Sequence, residues 1–184
     1  MILETNAPKD LNLRQAKEIK VYEFLESLHI QFSRVDHEKA MTMEICEKIG
    51  IVLGCDICKN LFLCNRQKTE FYLLLTPGDK RFKTKYLSEQ IGSSRLSFAD
   101  EEFMIKFLNT EIGSASVLGL LYDKDKKINL LIDEEVIKKE YIGMHPLVNT
   151  TSLKIKTKDL TEKILPTLGY NFKVVNLPNE STES

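Results

Sequence analysis

The run Leu61-Phe62-Leu63-Cys64, the link Asn65-Arg66-Gln67-Lys68 and the run Thr69-Glu70-Phe71-Tyr72-Leu73-Leu74-Leu75 decide the architecture. Two apolar or alternating segments flank four polar residues, the pattern of a β-hairpin. Thr76-Pro77-Gly78-Asp79 breaks it off. Downstream, the spacing predicts a helix from Thr84 to Gln90 stopping at Gly92, then an extended piece from Arg95 to Phe98. Asp100 is placed to cap a helix carrying Phe103, Met104, Phe107 and Leu108. The small-residue loop Gly113-Ser114-Ala115-Ser116 leads to two expected strands, Val117 to Tyr122 and Ile128 to Ile132, around a charged turn. Beyond them come a strand from Ser152 to Ile155, a helix from Asp159 to Leu168 ending at Gly169, and a strand from Asn171 to Val175. Pro166 conflicts with that helix, because proline lacks a donor and crowds the preceding turn.

Upstream of the hairpin, Val21, Phe24, Leu25 and Leu28 recur at helical spacing within Leu11 to Ile30, with Lys20, Glu23 and Glu26 turned away. An extended piece from Gln31 to Asp36 follows. A second helix is expected from Thr42, a suitable N-cap, to Lys48, with Gly50 as its stop. Helices and strands alternate without a strict βαβ order. The expected class is therefore α/β of the α+β type, a mixed, largely antiparallel sheet with surrounding helices. No repeat or linker divides the chain, so residues 1–184 read as a single domain with flexible ends at 1–10 and 178–184.

The 184 residues are 42% hydrophobic and 29% charged, the balance of a globular domain rather than a disordered chain. At this length folding hides roughly 70% of the unfolded surface, enough for a core without disulfides or metal. Against 27 Asp+Glu stand 26 Lys+Arg, a net charge of -1 that excludes a generally basic nucleic-acid coat but not a local patch. No apolar run approaches the roughly 18 residues of a membrane span, and MILETNAPKD lacks the pattern of a secretory signal. The expectation is a cytosolic protein with no membrane partner. Its cysteines, Cys46, Cys55, Cys58 and Cys64, are then reduced.

Cys55-Asp56-Ile57-Cys58 is a CxxC, but it is one pair with two single cysteines, whereas zinc usually takes two separated pairs. A redox CxxC usually opens a helix; this one enters a strand. Small buried or half-buried thiols, no metal and no cofactor are the expectation. Gly113-Ser114-Ala115-Ser116-Val117 is not a nucleophile elbow, and no phosphate-binding loop or zinc-protease motif occurs. A Cys58–His145 thiolate pair is conceivable only if the fold brings the two together. Lys80-Arg81-Phe82-Lys83-Thr84-Lys85 places four cations within six residues, either a solvated helix start or a phosphate-contacting patch. Three further places combine uncommon choices: Lys59-Asn60 at a strand entry, the Gly113 loop with its accessible N–H groups, and His145-Pro146 followed by Asn149-Thr150. Taken singly, each is more often structural: a turn glycine, a capped histidine, an exposed lysine.

Together, Val35-Asp36-His37 through Gly50, Cys58-Lys59-Asn60-Leu61-Phe62-Leu63, Gly78 through Gly92, Gly113 through Leu121 and Met144 through Thr150 resemble one family. It is the YbaK/prolyl-tRNA synthetase-associated editing domain family, and within it the free-standing ProX-type Ala-tRNA(Pro) deacylases. The resemblance spans about Val21 to Val175. It implies the family's mixed α/β fold and a pocket for a small aminoacyl group. It also implies that Lys59 lies near the phosphate of the terminal adenosine, that Asn60 lines the pocket, and that Gly113 places the ester carbonyl. His145 matches the family's HPL-type loop, which also contains Asn149, and Ser114, Ala115 and Ser116 fall beside the substrate. Lys80, Arg81, Lys83 and Lys85 become candidate contacts to tRNA phosphates. Where the family motif GxxxP ends in proline, this chain has Val117.

The implied activity is trans-editing hydrolysis of Ala-tRNA(Pro), with the terminal ribose hydroxyl assisting the water. An activated ester needs orientation and charge stabilisation more than a strong nucleophile. A small pocket rejects larger side chains by overlap, but a missing methylene costs only about 1–3 kcal/mol. Alanine is thus the favoured substrate with cysteine and serine as close alternatives, and a non-catalytic module binding tRNA ends or an aminoacyl nucleotide is the reading from another class. Prolyl-tRNA synthetase or an elongation factor are the candidate protein partners.

Overall fold

The computed structural model describes residues 1–39 and 42–179. In chain order the elements are β1 (Leu3–Thr5), α1 (Ala16–Ser27), β2 (Ser33–Asp36), α2 (Met43–Leu53), β3 (Cys58–Asn65) and β4 (Phe71–Pro77). Then come α3 (Thr84–Ile91), β5 (Leu96–Phe98), α4 (Glu101–Leu108), a 3-10 turn (Val117–Leu121), β6 (Ile128–Asp133), α5 (Glu134–Ile137), β7 (Tyr141–Met144) and β8 (Thr151–Lys156). A helical segment from Thr157 to Thr167 and β9 (Phe172–Val175) complete the described part.

The strands form two sheets. One is a five-stranded sheet in the order β5-β3-β4-β6-β9 and the other a four-stranded sheet in the order β1-β2-β8-β7. The hairpin forms as the alternation predicts, with Cys64 opposite Phe71 and Lys59 opposite Thr76. Its turn is closed by Asn65, whose side-chain oxygen accepts from the N–H groups of Thr69 at 2.9 Å and Glu70 at 3.2 Å. β4 is central and buried throughout. Phe71, Leu73 and Leu75 face the main core with β8 residues Leu153 and Ile155, while Tyr72 and Leu74 pack against Leu87 of α3. β4 and β6 run parallel, as do β6 and β9, and the four-stranded sheet is antiparallel throughout. The expected α+β class holds, with two sheets in place of one.

Several boundaries differ from the expected ones. α2 runs past Gly50 to Leu53, where Gly54 takes the left-handed cap; Thr42 caps the start by accepting from the Ile45 N–H at 3.3 Å. Leu3–Thr5, within the expected flexible end, forms a strand against Ser33–Val35, whereas residues 180–184 of the other end lie outside the described residues. Val117–Leu121 is a 3-10 turn and not a strand, because Ser116 caps it through a bond from the Leu118 N–H. Pro166 is accommodated by a change of helix type: a π turn over Leu160–Ile164 precedes a new α turn that has proline in its first positions. There the missing donor costs nothing.

A seam joins the two sheets. Ile57 bridges to Gly143 of β7, whose N–H donates to the Asp56 carbonyl at 2.8 Å. On the other side lies Gly78, where an added Cβ would stand 2.3 Å from the Ile57 oxygen; at Gly143 it would meet the Ile57 Cδ1 at 2.5 Å. The Asp56–Ile57 main chain fits between the sheets because both neighbours are glycine.

Candidate functional site

Beside this seam lies a cleft of about 1170 Å³, walled by α2, β3, the 112–115 loop and the start of β7. Lys59, Asn60, Gly113, Ala115 and His145, distant in sequence, all line it.

The strand period sets the first two. Cys58 and Phe62 face the main core, so Asn60 between them points the same way, and Lys59 points to the other face. Asn60 Oδ1 accepts from the Val117 N–H at 2.8 Å, tying β3 to the loop after Gly113. A proline at 117 has no N–H to give. Val117 therefore anchors Asn60 in a way that the GxxxP pattern does not allow, and leaves the Asn60 NH2 as the end that can serve a ligand. Lys59 Nζ donates to the Lys80 carbonyl at 3.3 Å. Burial pulls the Lys59 ammonium below its ordinary pKa, Asp79 opposes this and Arg81 adds to it. A cation so placed gains most from an added phosphate.

Gly113 has φ +86, and an added Cβ would lie 3.8 Å from Asn149 Nδ2. The backbone there has the left-handed turn that glycine permits, and Asn149 stands beside it. The Thr110 hydroxyl lies 3.2 Å from the Ser114 carbonyl and 3.1 Å from that of Leu147, stitching the two loops together. Ser114 and Ser116 are buried, and Ser116 spends its oxygen on the 3-10 cap. Of the residues expected beside the substrate, Ala115 reaches the cleft wall, while Ser114, Ser116 and Asn149 shape the loop behind it.

His145 Nδ1 lies 2.9 Å from the Thr151 carbonyl. A carbonyl only accepts, so Nδ1 carries the proton and Nε2 of the neutral ring is an acceptor. His37 repeats the logic. Its Nδ1 donates to the Glu38 carbonyl at 2.7 Å, and its Nε2 accepts from the Ser152 hydroxyl at 2.9 Å. Burial lowers the pKa of both rings, so both are neutral near pH 7. His37 carried no individual signal beyond its place in a resembling segment.

The basic stretch divides. Lys80 is 2% exposed, with Nζ 2.8 Å from both Asp133 Oδ2 and Glu135 Oε1. The expectation that it contacts tRNA phosphate is thus corrected, because its charge is spent inside the fold. Arg81, Lys83 and Lys85 are exposed, and Lys85 pairs with Glu89 at 3.8 Å.

Cys58 and His145 do share the cleft, but burial pushes the Cys58 thiol up to about 12 and the Cys55 thiol to about 11. Neither offers a thiolate at neutral pH. Cys64 is buried in β3, and Cys46 is half-buried at the cleft. Among the described residues, no three His, Cys, Asp or Glu side chains group as a metal site would require. Nor does any described helix have the length and apolarity to cross a membrane.

Comparison with known proteins adds the family context. Residues 37–163 match the model of the aminoacyl-tRNA editing domain. The chain is 32% identical over 168 residues to the prolyl-tRNA editing protein ProX of Acetoanaerobium sticklandii, covering 91% of this chain and 99% of that protein. It is 28% identical over 156 residues to the prolyl-tRNA synthetase associated domain-containing protein 1 of Danio rerio, covering 84% of this chain and 81% of that one. A crystal structure of a candidate trans-editing enzyme for prolyl tRNA synthetase superposes with a TM-score of 0.68 at 17% identity, covering 91% and 99% of the two chains.

Proposed function

Since this chain belongs to the aminoacyl-tRNA editing domain family, we propose that it is a trans-acting hydrolase that removes alanine from mischarged Ala-tRNA(Pro). The observation that carries the reading is the meeting of Lys59, Asn60, Gly113 and His145 in one cleft. In this reading Lys59 holds the phosphate of the terminal nucleotide. Backbone donors after Gly113 polarise the ester carbonyl, and His145 Nε2 accepts from the ribose hydroxyl or from the attacking water. Water adds to the carbonyl carbon, the bond to the ribose oxygen breaks, and the water's proton ends on that oxygen. Alanine and tRNA with a free ribose hydroxyl leave. Orientation does the work, which agrees with the protonated thiols and with a neutral histidine.

The protein is proposed to act in the cytosol on tRNA(Pro) charged by prolyl-tRNA synthetase, with that enzyme or an elongation factor as delivering partner. The test is loss of ester from Ala-, Cys-, Ser- and Pro-tRNA(Pro), with and without EDTA, for the wild type and for Lys59→Ala. Rapid EDTA-insensitive release of alanine alone is expected, with at least a tenfold loss in the variant. Faster release of cysteine or serine reassigns the substrate. Unchanged deacylation by Lys59→Ala overturns the site, and tRNA binding without cleavage by the wild type makes the chain a binding module.

A further inference from the structure

The four-stranded sheet has an outer face that the cleft chemistry does not use. Leu153 and Ile155 of β8 point into the core, so Lys154 and Lys156 between and beyond them point outward. The helical segment after β8 adds Lys158 and Lys163. These four lysines line a groove of about 800 Å³ that also takes in Asp159 and Glu162. Four cations against two anions leave an excess of two positive charges, in a chain whose net charge is -1.

The two acids do not silence the lysines. Lys158 pairs with Glu162 at 3.7 Å and Lys163 with Asp159 at 2.7 Å, both one helical turn apart. The Lys158–Glu162 pair is exposed on both sides, so it contributes little and exchanges readily for a stronger anion, whereas Lys163 is held by an Asp159 side chain that is 14% exposed. Lys156 is exposed. Lys154 lies over the Tyr141 ring at 4.5 Å from its centroid and donates to the Gly54 carbonyl at 3.1 Å. Tyr141 lines both groove and cleft, and Gly54 lines the cleft, so the groove begins where the cleft ends.

We propose that this lysine groove seats the phosphate backbone of the RNA whose aminoacylated end enters the cleft. The inference rests on the function proposed above, since that reading makes the cleft's ligand the tip of a long polyanion. A polyanion leaving the cleft past Tyr141 meets Lys154, Lys156 and Lys158 in turn. Beside its four lysines the groove offers small polar groups such as Asn6 and Gln31. Its cations position a tRNA through the phosphates, contacts that fix register and orientation. It also supplies the basic surface that the 80–85 stretch, with Lys80 buried, provides only in part.

The test pairs Lys156→Glu/Lys158→Glu with the charge-preserving Lys156→Arg/Lys158→Arg, in the full chain. Binding of uncharged tRNA(Pro) is measured across a salt series. Deacylation is measured on whole Ala-tRNA(Pro) and on an alanyl-CCA trinucleotide. The reversal variant is expected to bind tRNA at least tenfold more weakly, with the log–log salt slope smaller by about 1–2. Its kcat/KM on whole Ala-tRNA(Pro) falls in step, while that on the trinucleotide stays within about twofold, and the arginine variant retains wild-type values. Unchanged tRNA affinity and slope, an equal loss on both esters, or no tRNA binding by the wild type overturns the proposal. Failure of the hydrolase reading looks different: both esters survive the wild type while tRNA binding still responds to the reversal. Should the glutamate variant not fold, Lys156→Gln/Lys158→Gln gives the same contrast at about half the change in charge.

Discussion

Beneath Lys59 the supporting charge cluster is built around a cation, and beneath His145 it is built around an anion. Lys80 Nζ sits between Asp133 and Glu135 at 2.8 Å from each, and its own carbonyl receives Lys59. Across the cleft, Asp36 accepts from Arg14 at 2.5 Å, from Thr151 Oγ1 at 2.9 Å and from Arg34, and the Thr151 carbonyl receives His145. Both clusters hold a site residue through a main-chain oxygen, which has no pKa of its own in the working range. They differ in burial: Lys80 and Asp133 side chains are 1% and 0% exposed, whereas Asp36 is 40% exposed. Burial thus decides where each side is vulnerable. The cation-centred cluster is costly to break, and the anion-centred one is softened by water.

Breaking the first cluster has the largest expected effect. Lys80→Met leaves Asp133 buried without its cation and is expected to cost about 3–5 kcal/mol, read as a lower denaturant midpoint. Lys80→Arg recovers part of it. A loss below about 1 kcal/mol would show that Asp133 finds other partners. Asp36→Ala is expected to cost less, about 1–2 kcal/mol, because Arg34 keeps Glu4 as a partner and solvent reaches the site. An equal or larger cost than Lys80→Met would reverse the comparison.

The smallest effect separates the clusters by pH. Burial acts to raise the Asp36 pKa, but its hydrogen bonds from Arg14, Arg34 and Thr151 outweigh this and hold it well below 3.8. Its contribution is present above 3.8 and fades only as pH falls further. Burial acts to lower the Lys80 pKa, but Asp133 and Glu135 raise it above 10.5, so its contribution is full below 10.5 and fades as pH rises through the folded value. On the acid side of that range the site is governed by His37 and His145, both lowered below 6.5 by burial. The unfolded chain therefore binds protons first, and stability declines as pH falls from 6.5 toward the folded values. Urea midpoints between pH 7.5 and 5 should show this decline, smaller in His37→Gln. A flat profile would mean that neither ring is held neutral.

Legibility followed the reach of each interaction along the chain. The hairpin was readable because its alternation is local and its pairing partner is the next segment. The strand expected over Val117 to Tyr122 is a 3-10 turn instead, because a short apolar run looks alike as a buried strand or a tight helix, and the deciding cap is one hydroxyl on Ser116. β1 and β7 are short, and the pairing of β1 with β2 spans the whole of α1. Lys80 was misassigned for the same reason: its partners lie 53 and 55 residues downstream, and no local pattern announces a buried lysine. Lys59, Gly113 and His145 stood out through a family resemblance more than through spacing. The loop duties of Ser114 and Ser116 needed three dimensions.

The Asp56–Ile57 seam acts as a gauge block. The separation of the two sheets at the cleft is one main chain thick, held by glycine on either side. Cleft width is thus a dimension of the backbone, insulated from changes in the side chains that line the site. Exchanging wall residues such as Ala115 or Met104 would reshape such a cleft without refitting the sheets, whereas a single methyl group at Gly78 or Gly143 would alter its calibre for every ligand at once.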